Sequence, residues 1–435
     1  MIFHSTNGVV KGLTLAQAVS NGLASDGGLF MPDRFPALPQ ALFRNISEMS
    51  LREIAYVVGN MIFGDSLSSA TIKRIVDESF SFDVPLVSVG DSGNFVLELF
   101  HGPTLSFKDI GARFMARLLP ELLPGERKRT ILLATSGDSG GAIADSFRDM
   151  PGTRVVVLFP RGELSREQTA MFCGIPNVVP VEVGGTFDDC QALVKTALTD
   201  RELNAAIPLT SGNSINLARE LPAVICYFHA YARAMEQRPE TKVVMSIPCG
   251  NLGNLTAALM AKKMGLPIEK FIGANNANDT FVEYLQTGDI RPRRALVTFA
   301  RAMDVGNPSN LARIIDLYGS PEALRRDVEG VSFTDREIVS TIRSVYQQYG
   351  YLFGPQSAAA YRALLERTEP GTTGIAIATG HPAKFPEAIL EAIGKTAPWP
   401  EGMDSLRWSN IHTLKIPPTM NALERVLKES KPIRN

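Results

Sequence analysis

VVMSIPCGNLGNLTAALMAKKMG, residues 243–265, joins a short apolar run to a helix-length segment through a loop that contains two glycines and two asparagines. Such an apolar, partly β-branched run is typical of a buried strand. Glycine lets a backbone approach a ligand without a Cβ in the way. The first turn of a helix presents unpaired N–H groups and a partial positive charge. The stretch therefore predicts a strand, an anion-binding loop and a helix.

The same arrangement occurs twice more in the chain. ILLA (131–134) runs into TSGDSGGAIADSF, and GIAIA (374–378) runs into TGHPAKFPEAI. Further runs of the same kind are VVVLF (155–159), VVPVEV (178–183) and FIGA (271–274). Continuous apolar strands that alternate with helices favour parallel sheets covered on both faces, hence an α/β fold. In such sheets, ligands bind at the loops that follow the carboxyl ends of the strands.

The first 90 residues have a different hydrophobic pattern. They lack repeated strand signals and show helical periodicity, as in LTLAQAVSNGL (13–23) and SLREIAYVVGNMIF (50–63). The α/β part that follows is too long for a single core. The sequence predicts three parts: a mainly helical N-terminal region at 1–90, a smaller α/β domain at 91–205 and a larger α/β domain at 206–435.

Composition and charge exclude several classes of function. The formal net charge of -1 gives no general attraction to nucleic acid or to an anionic membrane. The N-terminus lacks the basic and apolar segments of a signal peptide, and the most apolar helical stretch (221–235) is too short to span a bilayer. The 4 cysteines form no C-x-x-C pair and the 5 histidines no HExxH motif. The sequence predicts a cytoplasmic protein without a metal site, without nucleic-acid partners and without membrane association.

Nucleotide-binding signatures are incomplete. GNLGN (250–254) lacks the GxGxxG spacing of a dinucleotide fold, and IGKT (393–396) has Ile389 where a P-loop needs its first glycine. Neither a nicotinamide cofactor nor a nucleoside triphosphate has support. A smaller phosphorylated ligand remains.

A reactive lysine is suggested by HGPTLSFKDIGARF, residues 101–114. Lys108 lies at the start of a helix whose Ile110, Phe114 and Leu118 form a core stripe. Lysine becomes catalytic when it is desolvated or held as a Schiff base with a carbonyl cofactor. Pyridoxal phosphate is such a cofactor, and it needs a lysine, a phosphate cradle and a partner for its ring nitrogen. On this stretch alone, a solvated surface lysine remains the commoner alternative.

Ten stretches in order along the chain carry a family resemblance. They are STNG (5–8), SDGGLFMP (25–32), FHGPTLSFKDIGARF (100–114), ATSGDSGGA (134–142), GTFDDCQALVK (185–195), GNSINLARELPAV (212–224), IPCGNLGN (247–254), NANDTFVEYLQTGD (276–289), ARAMDVGNPSN (300–310) and ATGHPAKFPEA (378–388). The chain resembles the threonine synthase family, in its longer class with an extra N-terminal region. The resemblance implies a fold-type II pyridoxal-phosphate enzyme, tryptophan synthase β-like, with two parallel-type α/β domains.

The resemblance also implies roles in binding the cofactor. Lys108 would be the Schiff-base lysine. Thr379 would meet the ring nitrogen with its hydroxyl, although a helix-capping threonine is the alternative. The loop that binds the cofactor phosphate would comprise Gly250, Asn251, Leu252, Gly253 and Asn254. The neighbouring Cys249 is interpreted as a small buried residue.

The substrate residues follow from the same resemblance. The loop for the amino-acid part of the substrate would comprise Thr135, Ser136, Gly137, Asp138 and Ser139. Asp138 stands where shorter members have asparagine. Candidates for the substrate phosphate are Ser106, Asn213, Ser214, Asn216, Arg219 and Lys384. Each of these could instead cap a helix or line a turn. The stretch YLFGPQSAAA departs from the acidic-Pro-His pattern of the family at Gly354, Pro355 and Gln356.

The implied reaction converts O-phospho-L-homoserine and water into L-threonine and phosphate, in a monomer or homodimer. Three alternatives remain. A phospholyase on the same scaffold would release 2-oxobutyrate, ammonia and phosphate. A catalytically silent homologue would be expected to lose the lysine, and a generic β-replacement enzyme would lack AMDVGNPSN and GTFDDCQ.

Overall fold

The computed structural model describes residues 1–90, 93–125, 128–401 and 411–429. Within these ranges the strands are β1 (Phe3–Ser5), β2 (Phe30–Pro32), β3 (Leu86–Ser88), β4 (Asn94–Glu98), β5 (Arg129–Ala134), β6 (Thr153–Pro160), β7 (Val178–Val183), β8 (Leu209–Ser211), β9 (Val243–Pro248), β10 (Lys270–Asn275), β11 (Val328–Ser332), β12 (Thr373–Ala378) and β13 (Leu414–Ile416).

The α-helices of the same ranges alternate with most of these strands. They are α1 (Leu15–Asn21), α2 (Gln40–Asn45), α3 (Leu51–Phe63), α4 (Ser69–Ser79), α5 (Lys108–Leu122), α6 (Asp138–Ser146), α7 (Arg166–Ala170), α8 (Phe187–Thr199), α9 (Arg201–Ala206), α10 (Leu217–Glu220), α11 (Val224–Gln237), α12 (Gly253–Lys263), α13 (Thr280–Thr287), α14 (Leu311–Tyr318), α15 (Pro321–Arg325), α16 (Asp335–Tyr349), α17 (Pro355–Arg367), α18 (Pro386–Ile393) and α19 (Met420–Lys428). Short 3₁₀ helices lie at Ile46–Glu48, Leu221–Ala223, Arg301–Met303 and Pro382–Lys384.

Two largely parallel sheets form the body of the protein. One has six strands in the order β11-β10-β9-β12-β4-β3, and only β3 is antiparallel to its neighbour. The other has five strands in the order β13-β7-β6-β5-β8, all parallel. The central strands are fully buried, which explains their continuous apolar sequences. The predicted α/β fold class is confirmed.

The N-terminal region is mainly helical, as predicted. Helix α3 starts with a capping box, in which Ser50 and Glu53 each accept a hydrogen bond from the other's backbone N–H. Its apolar residues Ile54, Val58 and Ile62 recur at helical spacing and are buried in the main core. The strands β1 and β2 add a small antiparallel sheet that the sequence analysis missed, because each is only three residues long.

The sheets cut across the predicted domain ranges. Strand β4, within the predicted 91–205 domain, pairs with β12 in the six-stranded sheet. Strands β8 and β13, within the predicted 206–435 domain, belong to the five-stranded sheet. The chain therefore passes between the sheets more than once. The predicted domain ranges stay a prediction, and β4, β8 and β13 do not follow their bounds. Residues 91–92, 126–127, 402–410 and 430–435 of these ranges lie outside the described residues.

All six predicted strands are present, and VVPVEV and VVMSIP match β7 and β9 residue for residue. Five strands of these two sheets were missed: β3, β8, β11 and β13 lie at the edges, whereas β4 lies between β12 and β3. Edge strands are short and partly solvated, so they lack a long apolar run. The apolar stretch at 221–235 forms most of a buried helix, α11. No helix among the described residues combines the length and the apolar character that crossing a membrane requires.

Candidate active site

One pocket lies where the carboxyl ends of both parallel sheets meet. It is lined by the loops that follow β5, β9 and β12 and by the first turn of α5. The sequence-predicted residues that line it are Lys108, Thr135, Ser136, Asp138, Ser139, Asn213, Ser214, Arg219, Gly250, Asn251, Leu252, Gly253, Asn254 and Thr379. The predicted residues that do not line it are Ser106, Gly137, Asn216 and Lys384.

Lys108 is the first residue of α5, and the backbone fixes its place in the pocket. The N–H of Phe107 donates to the carbonyl of Thr379 over 2.9 Å, and Ser106 forms a β-bridge with Gly380. These contacts join the start of α5 to the end of β12. Burial lowers the pKa of the Lys108 amine, and the cations of Arg219 and Lys384 lower it further against the opposing charge of Asp138. The pocket therefore favours the neutral amine.

The loop at 250–254 forms a cradle with two positions at which other atoms leave no room for a Cβ, so only glycine fits there. A Cβ on Gly250 would lie 2.9 Å from the carbonyl oxygen of Ala302, and one on Gly253 would lie 2.7 Å from Glu220 Oε1. Leu252 adopts the left-handed conformation (φ 60°) directly before α12, so the chain turns sharply into the helix. The first N–H groups of α12 consequently face the pocket end of the loop without intrahelical partners.

The donors of this loop fit an anion. Asn254 accepts a hydrogen bond from the hydroxyl of Tyr227 on its side-chain oxygen, while its buried side-chain nitrogen has no partner among the described residues. A buried, unpaired N–H donor is costly unless a ligand satisfies it. Helix N-termini are suited to phosphate. Together with the lysine, the donor set fits the phosphate and the carbonyl of pyridoxal phosphate.

Residues 309–310 stabilise the 250–254 loop through hydrogen bonds to Asn251. The N–H of Ser309 donates to Asn251 Oδ1 over 2.6 Å, and Asn310 Nδ2 donates to the carbonyl of Asn251 over 2.9 Å. Arg313 is fully buried and donates to the side chain of Asn310 over 2.7 Å. The same guanidinium donates to the carbonyls of Phe30, Ser214 and Ile215. It thereby ties the N-terminal region to the wall of the pocket.

Asp138 and Lys384 form a buried ion pair at the edge of the pocket. The Lys384 Nζ lies 2.6 Å from Asp138 Oδ1 and donates to the carbonyl of Thr104 over 2.9 Å. Burial alone would raise the pKa of Asp138, but the cations of Lys384 and Lys108 outweigh burial and lower it. Ser106 donates to the same carboxylate over 3.4 Å. Ser106 and Lys384 thus act on the pocket through Asp138.

The side chains of several predicted substrate residues form hydrogen bonds with other residues of the protein. Asn213 exchanges two hydrogen bonds with the backbone of Ala134. Ser214 Oγ accepts from the side chains of Asn251 and Asn310. Asn216 is fully buried, caps α10 and donates to Val19, Thr210 and Ser211. Asn216 lies outside the pocket lining and its amide caps a helix, so its predicted contact with substrate stays a prediction that this position does not support.

Arg219, Gly137 and Thr379 are used differently. Arg219 donates to the carbonyl of Gly212 over 2.6 Å, and no residue that the structure describes gives its buried Nε a partner. Burial lowers the pKa of Arg219 to about 10. Gly137 precedes α6 with a φ of 128°, and its N–H donates to the hydroxyl of Thr135. Thr379 does not cap the helix at 382–384, since His381 does so.

Three family models match the chain. The one described as "Pyridoxal-phosphate dependent enzyme" covers residues 89–380, "Threonine synthase N terminus" covers 2–80, and "Threonine synthase, C-terminal" covers 357–427. A threonine synthase of Haemophilus influenzae is 41% identical over 393 residues, 90% of this chain and 91% of the relative. The chain belongs to the threonine synthase family.

Solved structures agree with this assignment. The crystal structure of threonine synthase from Escherichia coli matches with a TM-score of 0.92 and 36% identity, over 98% of this chain and 99% of that one. The structure of PLP-bound threonine synthase from Brucella melitensis matches with a TM-score of 0.90 and 32% identity, over all of both chains. The predicted fold type, enzyme class, pyridoxal-phosphate dependence and threonine synthase function are confirmed. The phospholyase alternative is not favoured.

Several polar pocket residues were missed in the sequence analysis of this threonine synthase family member. Gln356 lines the pocket and is 2% exposed, and within the described part of the chain neither polar atom of its side chain has a partner. Its signal was the departure of the FGPQ stretch from the family pattern. Glu220, Gln191 and Lys195 also line the pocket, and all three lie within stretches that the resemblance had quoted, at 212–224 and 185–195. Cys249 is fully buried, and burial raises the pKa of its thiol, which excludes a nucleophilic role.

Glu220 predicts a pH dependence of stability. Burial raises its pKa to about 7, although the charges of Arg313 and Arg219 oppose the shift. The folded state therefore binds this proton more tightly than the unfolded chain, so stability falls as the pH rises from about 4.5 to about 7. The full effect at pH 8 is on the order of 3 kcal/mol. Glu220→Gln is expected to remove this loss.

The measurement is denaturant unfolding of wild type and Glu220→Gln at pH 5 and pH 8. The variant should gain stability relative to wild type at pH 8 but little at pH 5. Glu202→Gln, at an exposed position of α9, serves as the control and should give the same difference at both pH values. An equal effect of Glu220→Gln at both pH values contradicts the prediction.

Proposed function

We propose that this chain converts O-phospho-L-homoserine and water into L-threonine and phosphate at the pocket between the two parallel sheets. The observation that carries the proposal is the convergence of the half-buried Lys108 side chain, the glycine cradle at 250–254 and Thr379 on one pocket. Family membership supplies the reaction, and the pocket supplies the residue types that the reaction needs.

The residues that would hold pyridoxal phosphate are distributed over the pocket walls. The N–H groups of Gly253 and Asn254, with the free side-chain nitrogen of Asn254, would bind its phosphate. Lys108 would be its covalent attachment point. Thr379 would offer a neutral hydroxyl to its ring nitrogen, and Gln356 offers a buried donor and a buried acceptor nearby. When bound, the cofactor supplies an electron sink that acidifies C–H bonds beside the substrate amine.

Lys108 is the residue that would move protons. Burial lowers the pKa of Lys108, which favours loss of its proton, and the neutral Nζ would then take a proton from the α carbon of the substrate. The same Nζ would return a proton at the end of the reaction. The negative charge of Asp138 lies close enough to favour the charged form of Lys108. It would stabilise Lys108 while Nζ carries the proton, without a proton transfer of its own.

The start of α6 would receive the amino-acid part of the substrate. Thr135 accepts hydrogen bonds from the N–H groups of Gly137 and Gly140, which fixes the turn into the helix. Ser136 and Ser139 line the pocket beside it. The hydroxyls and the helix N-terminus together suit the α-carboxylate of the substrate. The Asp138–Lys384 pair lies at the same helix start and limits the net charge there.

A product assay tests the proposed function. Purified holoenzyme is incubated with O-phospho-L-homoserine, and L-threonine, 2-oxobutyrate and phosphate are measured separately. Equal amounts of threonine and phosphate are expected. Phosphate with 2-oxobutyrate and without threonine contradicts the proposal and supports the phospholyase.

The partners, the location and the assembly state of the protein are proposed on general grounds. The acidic-basic balance of the sequence gives no reason for nucleic-acid binding, and a cytoplasmic location fits four buried thiols without a disulfide among the described residues. A monomer or a homodimer is proposed as the assembly state. Analytical ultracentrifugation of the holoenzyme would distinguish the two states.

A further inference from the structure

The carboxyl of Glu220 lies against the loop at 250–254. Glu220 is the last residue of α10, is 5% exposed and lines the pocket. Its two carboxyl oxygens lie 2.7 Å and 2.9 Å from the position that a Cβ on Gly253 would take. Gly253 is the first residue of α12, where the unpaired N–H groups of the helix begin. An acidic side chain thus contacts the same loop that is suited to an anion.

This carboxyl has no partner in the part of the chain that the structure describes. No residue there donates a hydrogen bond to it or forms an ion pair with it. Arg313 donates to Asn310 and to backbone carbonyls, and one guanidinium nitrogen of Arg219 donates to another carbonyl. A buried carboxylate without a partner is costly, because the hydration that it loses is not replaced. The neutral acid avoids most of this cost.

Charged and titratable groups surround α10 on four elements. They are Arg219 on α10 itself, Lys108 and Asp109 at the start of α5, Arg313 on α14 and Tyr227 on α11. Helix α1, the 3₁₀ helix at 221–223 and the first turn of α12 also pack near α10 and carry no charged side chain. Burial raises the pKa of Glu220 to about 7, although the charges of Arg313 and Arg219 oppose the shift. Without a ligand, the carboxyl therefore loses its proton near neutral pH.

The cofactor phosphate would bring a second negative charge to this contact. A phosphate monoester carries a charge of about −2 above pH 7, and a like charge nearby disfavours the ionised form of a carboxyl. We propose that Glu220 takes up one proton from solvent when the cofactor phosphate binds at the 250–254 loop, so that the holoenzyme contains the neutral acid. The O–H bond of the acid is the only bond that this step forms. The inference rests on the proposed place of the cofactor phosphate and goes beyond the proposed reaction.

Cofactor affinity should consequently depend on pH through Glu220. Since protonation favours binding, the affinity for pyridoxal phosphate falls as the pH rises above about 7, by at most about tenfold per pH unit. Glu220→Gln keeps the size of the side chain and has no proton to take up. It should bind pyridoxal phosphate ~10-fold more tightly than wild type at pH 8.5 and within about twofold of wild type at pH 6. Equilibrium dialysis of the two holoenzymes at both pH values measures these affinities.

Calorimetry measures the proton itself. The full-length chain, dialysed free of cofactor, is titrated with pyridoxal phosphate at pH 8 in two buffers of different ionisation enthalpy, and the difference in heat gives the number of protons taken up. Wild type should take up about one proton more than Glu220→Gln. The ionisable groups of the cofactor and of Lys108 contribute equally to both proteins, so the difference belongs to position 220.

Pyridoxal, which lacks the phosphate, is the matched control ligand. Wild type and Glu220→Gln should take up the same number of protons when they bind pyridoxal, because no second negative charge reaches the loop. Glu202→Gln, at an exposed position of α9, is the control variant and should behave as wild type with both ligands. Glu220→Met supplies a second neutral side chain in case Glu220→Gln does not fold.

Two results overturn the inference. One is equal proton uptake by wild type and by folded Glu220→Gln or Glu220→Met on binding pyridoxal phosphate. The other is a difference of the same size with pyridoxal, which would link the proton to the ring and not to the phosphate. Failure of the proposed function looks different, because wild type would then form no threonine from O-phospho-L-homoserine while its proton uptake stays as expected.

Discussion

Lys108→Ala is expected to lower threonine formation by ~10³-fold or more, because the variant loses both the attachment point of the cofactor and the base that moves the substrate proton. The fold should be retained. The apolar stripe Ile110, Phe114 and Leu118 still anchors α5 in the core, and the change removes a buried amine that is costly to desolvate. Turnover, the visible absorption band of the lysine-linked cofactor and the far-UV circular dichroism spectrum measure the three expectations.

Lys73→Ala is the control for Lys108→Ala. Lys73 is an exposed lysine on α4, paired with Asp77, and its removal should leave turnover and absorption unchanged. Addition of a small primary amine such as methylamine to Lys108→Ala should restore part of the activity, since it supplies the missing base. A Lys108→Ala enzyme with near-wild-type turnover contradicts the site assignment.

Lys384→Met is expected to cost about 3–5 kcal/mol of unfolding free energy, since it leaves the Asp138 carboxylate buried without its cation. Removing the partner should also raise the pKa of Asp138, because burial then acts with less opposition. Asp138→Asn should destabilise the protein similarly by isolating Lys384. Denaturant unfolding of the apoenzyme variants gives the free energies.

The double variant Asp138→Asn with Lys384→Met decides whether the pair is the cause. With both charges removed, the double variant should be more stable than either single variant, which is a coupling energy of the kind that double-mutant cycles measure. Lys73→Met, which breaks the exposed pair with Asp77, should change stability little. Additive losses in the double variant would mean that the two side chains act independently.

The sequence alone predicted much of the fold and the chemical parts of the site. The six predicted strands exist because each is an apolar run buried on both faces. The start of α5 at Lys108 and the glycine cradle before α12 were also predictable. Strand formation in an apolar run, helix initiation and a left-handed turn all depend on residues close together in the chain, so a local pattern is sufficient to indicate them.

Side-chain partners across the chain were decided only by the tertiary structure. Asn213 and Asn216 are polar residues beside a binding loop, yet their amides are used by backbone groups of other segments. Gln356 and Arg219, in contrast, line the pocket with buried polar atoms that have no partner among the described residues. No local pattern distinguishes these two outcomes, since both depend on which groups from distant segments lie within hydrogen-bond distance.

The same reason explains the sheet membership and the electrostatics of the site. Strands β8 and β13 join the five-stranded sheet although long stretches of chain separate them from its centre. Asp138 and Lys384 meet only because β5 and β12 end at the same pocket. The sequence determined the kinds of residue available for the chemistry. The packing of the two sheets decided their partners, their burial and hence their charge, because desolvation and ion pairing depend on distances that only the folded chain sets.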